Sequence, residues 1–341
     1  MRNLSFDFNP RTLVVTCTEP HASLAEAWPS LDAIFIPTRG RPQFVLSLLR
    51  DLRREVPSTP VFLLPSSSDE YKSNGSELFE SIQSLSSNDD IEFVEAVQSL
   101  HTMQNGLFGT RDIDWDLPTK RNYALWYARR NRFSRILLLD DDIRDISASI
   151  IKHGNSLLQS FMVCGLFVDE FPDTSVTGHA EIVLGEDVRT FLSGNSLFLR
   201  ANTDLGFFPK IYNEDWIFMI PHVHAKQVAA AGVIQQEPYD PFVSAALAEF
   251  QEPGEVIADG LLALVNACAY DRRFDQDTWR ELLGIRRQWL ADLKSRVPYE
   301  RQRVAMGTAL CRCQSILEDD CVRFVEDWEK DCETWRSLIR G

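Results

Sequence analysis

Residues 136–139 (ILLL) are apolar at every position and are followed directly by Asp140, Asp141 and Asp142. A strand that is apolar at every position, and not only at every second one, is covered on both faces, as in the centre of a parallel sheet. In open α/β sheets, ligands bind beyond the carboxyl ends of the strands. The segment therefore predicts a buried central strand that carries three carboxylates to a ligand-binding edge.

The first 240 residues alternate between strand and helix patterns. Residues 31–36, 60–64 and 91–95 have the apolar character of buried strands, and residues 118–131 have that of a helix. Such alternation predicts βαβ units and an α/β fold with a mostly parallel sheet flanked by helices. From about residue 245 the pattern is helical to the end of the chain. We expect this C-terminal region either to pack on the α/β part or to form a homo-oligomer contact.

The composition disfavours several classes of function. The chain has 35 basic and 50 acidic side chains and a formal net charge of −15, which argues against nucleic acid or anionic lipid as a partner. A phosphorylated small molecule remains compatible, because a bound metal supplies local positive charge. No apolar run approaches the roughly 20 residues that span a bilayer, and the N-terminus lacks an apolar signal core. Because the seven cysteines also lack disulfide-framework spacing, we expect a cytoplasmic protein without a membrane span.

Three adjacent carboxylates, as in Asp140, Asp141 and Asp142, repel one another unless a cation or hydrogen-bond donors compensate their charge. Hard oxygen ligands in such a place suit Mg²⁺ or Mn²⁺, which commonly join a protein carboxylate to substrate phosphates. The alternative is a solvated loop in which one aspartate caps the next helix. Taken alone, the triplet leaves both interpretations open.

Two further segments place charge at predicted helix starts. Lys120 and Arg121 fall in the first turn of the 118–131 helix, where basic residues oppose the helix dipole. We expect both near the surface, either with a phosphate or carboxylate partner or only solvated. Glu214 and Asp215 open an apolar helix, a place where acidic residues are ordinary.

In this order, the segments resemble the motifs of GT-A-fold nucleotide-sugar glycosyltransferases, especially the family-2 type. The resemblance covers about residues 31–240, and five short motifs in the right order make it fairly specific. The matching segments are Ile36-Pro37-Thr38-Arg39 after the first strand, Lys120-Arg121-Asn122, Asp140-Asp141-Asp142 as the DxD motif, Gly194-Asn195 in a tight turn, and Glu214-Asp215 as the ED motif.

The resemblance implies a GT-A (Rossmann-like) catalytic domain over residues 1–244, followed by the helical region over 245–341. Within the domain it implies a nucleotide-sugar half at about 31–143 and an acceptor half at about 144–244. It implies donor-binding roles for Pro37, Thr38, Arg39, Asp69, Lys120, Arg121, Asn122, Asp140 and Asp141, a Mn²⁺ or Mg²⁺ site at Asp140 and Asp142, and sugar or acceptor contacts for Gly194, Asn195 and His222.

The implied activity is that of a hexosyltransferase-type enzyme. It moves a sugar from a nucleoside-diphosphate sugar to a hydroxyl of a small or soluble acceptor. A sugar hydroxyl is a poor nucleophile and gains from a positioned base, so the resemblance implies an inverting transfer with Asp215 as base and Glu214 beside it.

The sequence departs from the family-2 pattern in two places. Asp69 is only a candidate for the aspartate that contacts the nucleobase at the end of the second strand. The strand after the ED helix contains no histidine for the metal, and His222 and His224 lie earlier, on the helix itself.

Three alternative functions remain open. The alternatives are a retaining GT-A glycosyltransferase, another phosphate-handling α/β enzyme such as a nucleotidyltransferase, and a non-catalytic sugar-nucleotide-binding protein.

Overall fold

The computed structural model describes residues 16–17, 30–39, 41–66, 116–169, 171–172, 174–186 and 192–340. The strands in these residues form one sheet, which contains the predicted strands at 31–36, 60–64 and 136–139; the predicted strand at 91–95 lies outside the described residues. The strands are β1 (Thr16–Cys17), β2 (Ala33–Pro37), β3 (Val61–Leu64), β4 (Ile136–Leu139), β5 (Ile143–Arg144), β6 (Val163–Asp169), β7 (Ser196–Leu199) and β8 (Val228–Gln236).

The sheet has the spatial order β1-β8-β6-β7-β4-β2-β3, with β5 paired to β8. Parallel pairing joins β3, β2 and β4, and also β1, β8 and β6, whereas β7 is antiparallel to both β4 and β6. Because β7 is reversed, its first residue, Ser196, pairs with Leu139, the last residue of β4. The turn at residues 194–195 therefore lies beside Asp140.

The helices include the two predicted from charged helix starts and the predicted C-terminal helical region. Among the described residues, no helix combines the length and the apolar character needed to cross a bilayer. The helices are α1 (Pro42–Glu55), α2 (Leu117–Arg130), α3 (Ala148–Leu157), α4 (Val176–Val183), α5 (Glu214–His224), α6 (Ala245–Asn266), a short 3₁₀-helix (Tyr270–Phe274), α7 (Gln276–Arg296), α8 (Glu300–Ser315) and α9 (Glu318–Arg340).

The central strands are buried on both faces, as the continuous apolar run predicts. Alternate residues point to opposite faces. On one face Phe35 and Leu138 belong to a core that extends to Trp279 in the C-terminal helices, and on the other Ile36 and Leu137 pack with α1. The expected α/β fold with helices on both faces is thus confirmed, and the C-terminal helices share a core with the sheet. The domain boundary at 244/245 and a contact between copies of the chain stay predictions.

Candidate active site

Two segments far apart in sequence bring five carboxylates to one edge of the sheet. Asp140, Asp141 and Asp142 follow β4, and Glu214 and Asp215 begin α5. The guanidinium group of α2 residue Arg121 lies between the segments. Its Nη2 atom is 3.1 Å from Oδ1 of Asp140, and its Nη1 atom is 2.6 Å from Oε1 of Glu214. A single buried cation therefore joins the DxD and ED motifs.

Lys120 and Arg121 are both buried, at 2% and 3% exposure, so the expectation that they lie near the surface is wrong. Nζ of Lys120 donates to the Thr38 carbonyl and to the Ser66 hydroxyl, each at 2.8 Å, and pairs with Asp116 at 3.0 Å. The first turns of α2 pack into the edge of the sheet. Protein oxygens there compensate the unfavourable position of the two cations at the helix start.

The predicted turn at Gly194 is present and connects both motifs. A Cβ atom on Gly194 would overlap the guanidinium group of Arg121, so only glycine leaves room for that cation. The Gly194 N–H donates to Oδ2 of Asp215, and Oδ1 of the same carboxylate accepts from the Trp216 N–H at 2.9 Å. Asp215 is consequently fixed through both oxygens.

A second guanidinium group, that of Arg41, bridges Asp141 and Asp142. Its Nη1 atom lies 2.7 Å from Oδ2 of Asp142, and Nη2 contacts Oδ1 of Asp141. The Arg41 side chain is 43% exposed, whereas that of Asp141 is fully buried. Arg41 thus covers the carboxylates from the solvent side.

Gln236, the last residue of β8, links the aspartates to the 194–195 turn. Its Nε2 atom donates to Oδ1 of Asp142 at 3.3 Å, and its Oε1 atom accepts from Nδ2 of Asn195 at 3.4 Å. The Asn195 carbonyl in turn accepts from the Asp140 N–H at 2.8 Å. The sequence-based predictions missed both Gln236 and Arg41. A polar residue at the carboxyl end of a strand, and an arginine shortly after the first strand, were the available signals.

The site has too little positive charge for its carboxylates. Five carboxylates face two guanidinium groups, which leaves an excess of three negative charges when all are ionised. Burial raises the pKa of Glu214 to about 8, and the neighbouring Asp215 adds to the rise. Burial also raises the pKa of Asp141 to about 7 against the opposing effect of Arg41, and it raises the pKa of Asp140. Burial without enough neighbouring cations thus disfavours the ionised form of these carboxyl groups.

A hard divalent cation fits this donor set chemically, because carboxylate oxygens are in excess. The residues are not arranged around a cation: Arg41 holds Asp142, Arg121 holds Asp140, and the described parts of the chain contain no metal-site grouping of three or more His, Cys, Asp or Glu side chains. A cation shared by Asp140 and Asp142 therefore requires Arg41 to move away from Asp142. The exposure of Arg41 leaves room for that movement.

Asn122 and the histidines of α5 make packing contacts. The Asn122 amide accepts from the Phe208 N–H at 2.7 Å and donates to the Phe208 carbonyl at 2.8 Å, so it holds the loop before α5; its donor-binding role stays a prediction. Buried His222 contacts the Leu205 carbonyl through Nε2 at 3.0 Å, and its expected acceptor role stays a prediction. His224 packs against an aromatic ring of the C-terminal region.

The segment after the first strand lies at the same edge of the sheet. Pro37 pairs with Leu64 across β2 and β3, and the N–H of buried Thr38 donates to the Leu64 carbonyl at 3.1 Å. Arg39 is exposed. Asp69 lies outside the described residues. The donor-binding roles of these residues stay predictions.

No protein-family model matches the chain, and no curated protein matches its sequence. Among solved structures, it is similar to glucosyl-3-phosphoglycerate synthase from Mycobacterium tuberculosis in complex with Mn²⁺, uridine diphosphate and phosphoglyceric acid, with 12% identity over 75% of this chain and 87% of that chain, at a TM-score of 0.44. It is also similar to mannosyl-3-phosphoglycerate synthase from Rubrobacter xylanophilus, with 13% identity over 71% and 74% of the two chains, at a TM-score of 0.42. At identities this low, the similarity concerns the fold alone.

Proposed function

We propose that this chain is a metal-dependent glycosyltransferase. In this proposal it moves a hexosyl group from a nucleoside-diphosphate sugar to a hydroxyl of a small or soluble acceptor in the cytoplasm. The observation that carries the proposal is the excess of buried carboxylates over guanidinium groups at the edge of the sheet. An uncompensated carboxylate cluster attracts a divalent cation, and a divalent cation at this edge attracts a diphosphate.

The residues of the site take distinct roles in this proposal. Asp140 and Asp142 would hold Mn²⁺ or Mg²⁺, which supplies positive charge to the leaving diphosphate. Arg121 keeps Asp140 and Glu214 at fixed positions. Asp215 accepts the proton of the acceptor hydroxyl, and the burial that raises its pKa makes it a stronger base.

The test is a thermal-shift screen of nucleoside diphosphates, each with Mn²⁺ and with chelator. A ligand that binds only the folded state raises the melting temperature by mass action. We expect one nucleoside diphosphate to stabilise the protein, and only when metal is present. The corresponding nucleotide sugar should then be hydrolysed slowly by the purified protein.

The other outcomes identify the alternatives. Absence of nucleoside-diphosphate binding with either metal would refute the proposal. Binding of the nucleotide sugar without hydrolysis or transfer would indicate a non-catalytic sugar-nucleotide-binding protein. Stabilisation by nucleoside triphosphates, with release of pyrophosphate, would indicate a nucleotidyltransferase.

One observation favours a second mechanism, retention of the anomeric configuration. Both oxygens of Asp215 already accept backbone N–H groups, and one oxygen of Glu214 binds Arg121. A carboxylate held in this way has fewer lone pairs free for an acceptor proton. The anomeric configuration of the product, determined from its proton NMR couplings, separates inverting from retaining transfer.

A further inference from the structure

Helix α6 contains a buried polar segment, Gln251-Glu252-Pro253-Gly254-Glu255. Proline and glycine are the two residue types that most disfavour a helix interior. Contacts with the rest of the protein must therefore hold this segment helical. Two of these contacts lead directly to the residues before the ED motif.

The first contact is made by the backbone. A Cβ atom on Gly254 would overlap the carbonyl oxygen of Tyr212, so α6 approaches the chain at this point as closely as a glycine permits. Tyr212 lies two residues before Glu214. The backbone of α6 therefore supports the turn from which α5 begins.

The second contact is made by Asn213, which immediately precedes Glu214. Its φ of 59° is left-handed, a conformation that asparagine tolerates better than most residues. Asn213 occupies the N-cap position of α5, yet its side chain makes no capping hydrogen bond. Its Nδ2 atom instead donates to Oε1 of Glu255 at 2.8 Å. The side chain is thus directed away from its own helix and toward the C-terminal region.

Glu255 is itself firmly held. Its Oε2 atom accepts from the Thr177 hydroxyl at 3.1 Å and from Nη2 of Arg286 at 3.3 Å. Arg286, in α7, is 2% exposed and also pairs with Glu252 and Asp259, each at 2.6 Å. Glu255 therefore joins the buried ion network around Arg286 to the turn at Asn213.

We propose that Glu255 is a positioning residue for Glu214 and Asp215. It stabilises the left-handed turn at Asn213 and so sets the direction in which α5 presents its first two carboxylates. The Gly194 N–H donates to the Asp215 carboxylate, and this hydrogen bond depends on the direction in which α5 begins. The chemical consequence rests on the proposed function, and it makes the C-terminal helices part of the catalytic apparatus.

The amide proton of Gly194 reports the position of Asp215 without any assay of activity. Ser193-Gly194 is the only Ser–Gly dipeptide in the chain. Labelling serine carbonyl carbons with ¹³C and glycine nitrogens with ¹⁵N therefore gives one cross-peak in a carbonyl-filtered NMR spectrum. We expect Glu255→Ala and Asn213→Gly each to move the proton of this cross-peak upfield, because the hydrogen bond to the carboxylate lengthens.

The variants are chosen to separate local positioning from loss of folding. Asn213→Gly removes the side chain that Glu255 binds, and glycine tolerates the left-handed conformation without being held in it. This variant therefore serves if Glu255→Ala does not fold. Glu255→Gln keeps an oxygen for Asn213 and should restore most of the original proton shift. Glu249→Ala removes an exposed glutamate from the same helix and should leave the cross-peak unchanged.

The kinetic consequence is a fall in kcat of about tenfold or more in Glu255→Ala, with the donor KM within about twofold of the wild-type value. An unmoved Gly194 cross-peak in folded Glu255→Ala and Asn213→Gly would overturn the inference. A wild-type protein that binds no nucleoside diphosphate would instead refute the proposed function. The two failures are thus read from different measurements.

Discussion

Nη1 of Arg121 lies 2.6 Å from Oε1 of Glu214, and both side chains are almost completely buried. The two residues are 93 positions apart and lie near the starts of α2 and α5. The same guanidinium group reaches Asp140 after β4. Because the Glu214 side chain is 4% exposed, removal of this cation leaves that carboxylate with neither a cationic partner nor ready access to water.

We therefore predict that Arg121→Gln lowers the free energy of unfolding by about 3–5 kcal/mol, the usual cost of breaking a buried ion pair from one side. Urea denaturation measures this change. Arg130→Gln, at the exposed end of the same helix, should stay within about 0.5 kcal/mol of wild type. If Arg121→Gln lowers the free energy of unfolding as little as Arg130→Gln does, the Arg121 guanidinium group does not compensate the negative charge of Glu214.

Gly194 should not tolerate a side chain, since a Cβ atom would displace the Arg121 guanidinium group. We predict that Gly194→Ala lowers the free energy of unfolding by about 1–3 kcal/mol through overpacking. Gly284 in α7 is the matched control, because a Cβ atom there meets open space. Gly284→Ala should raise the free energy of unfolding by up to about 1 kcal/mol through helix propensity. Equal effects at the two positions would contradict the assigned packing.

Stability should decrease as the pH rises. In the folded state the pKa of Glu214 is raised to about 8 and that of Asp141 to about 7, mainly by burial. The folded state binds the protons of these two carboxyl groups more tightly than the unfolded state does. Their contribution to the free energy of unfolding is therefore complete below the unfolded-state pKa values, and it is lost as the pH rises through the folded-state pKa values. We expect the free energy of unfolding to fall between about pH 5 and about pH 9, with a smaller slope in Glu214→Gln. A free energy of unfolding that stays constant over this pH range would contradict the excess of carboxylates over guanidinium groups at the site.

Arg41 should compete with the metal, since its guanidinium group occupies Asp141 and Asp142. We predict that Arg41→Gln binds Mn²⁺ roughly fivefold more tightly in the absence of nucleotide, the factor expected for loss of an ion pair worth about 1 kcal/mol. Isothermal titration calorimetry measures this affinity. Arg50→Gln, an exposed arginine in α1, the helix that begins directly after Arg41, is the control. Weaker Mn²⁺ binding in Arg41→Gln would show that Arg41 assists the metal and does not compete with it.

Asp215→Asn should lower the transfer rate by roughly 10²–10⁴-fold, the usual contribution of a general base. Donor and Mn²⁺ affinities should change little, and Glu214→Gln should reduce transfer much less. Asparagine has one acceptor oxygen for the two N–H groups that Asp215 binds, so the Gly194 NMR signal is needed beside the rates. A rate near wild type would exclude Asp215 as base and favour the retaining mechanism.

The local sequence determined the elements that carry the site. The uninterrupted apolar run at 136–139 predicted a central strand that Asp140 follows, and charged residues marked the starts of α2 and α5. The helical pattern from about residue 245 predicted the C-terminal helices. These features follow from hydrophobic periodicity and helix-start chemistry, which act over a few neighbouring residues.

Only the tertiary structure decided which charged residues meet. Arg41 reaches Asp142 across 101 positions, Gln236 reaches it across 94, and Asn213 reaches Glu255 in another helix. These contacts depend on strand order, on the reversed direction of β7 and on the docking of the C-terminal helices. No local pattern encodes those choices. Lys120 and Arg121 show the consequence, because their sequence position predicted a place near the surface and left their partners open, whereas the partners that the fold supplies made burial favourable.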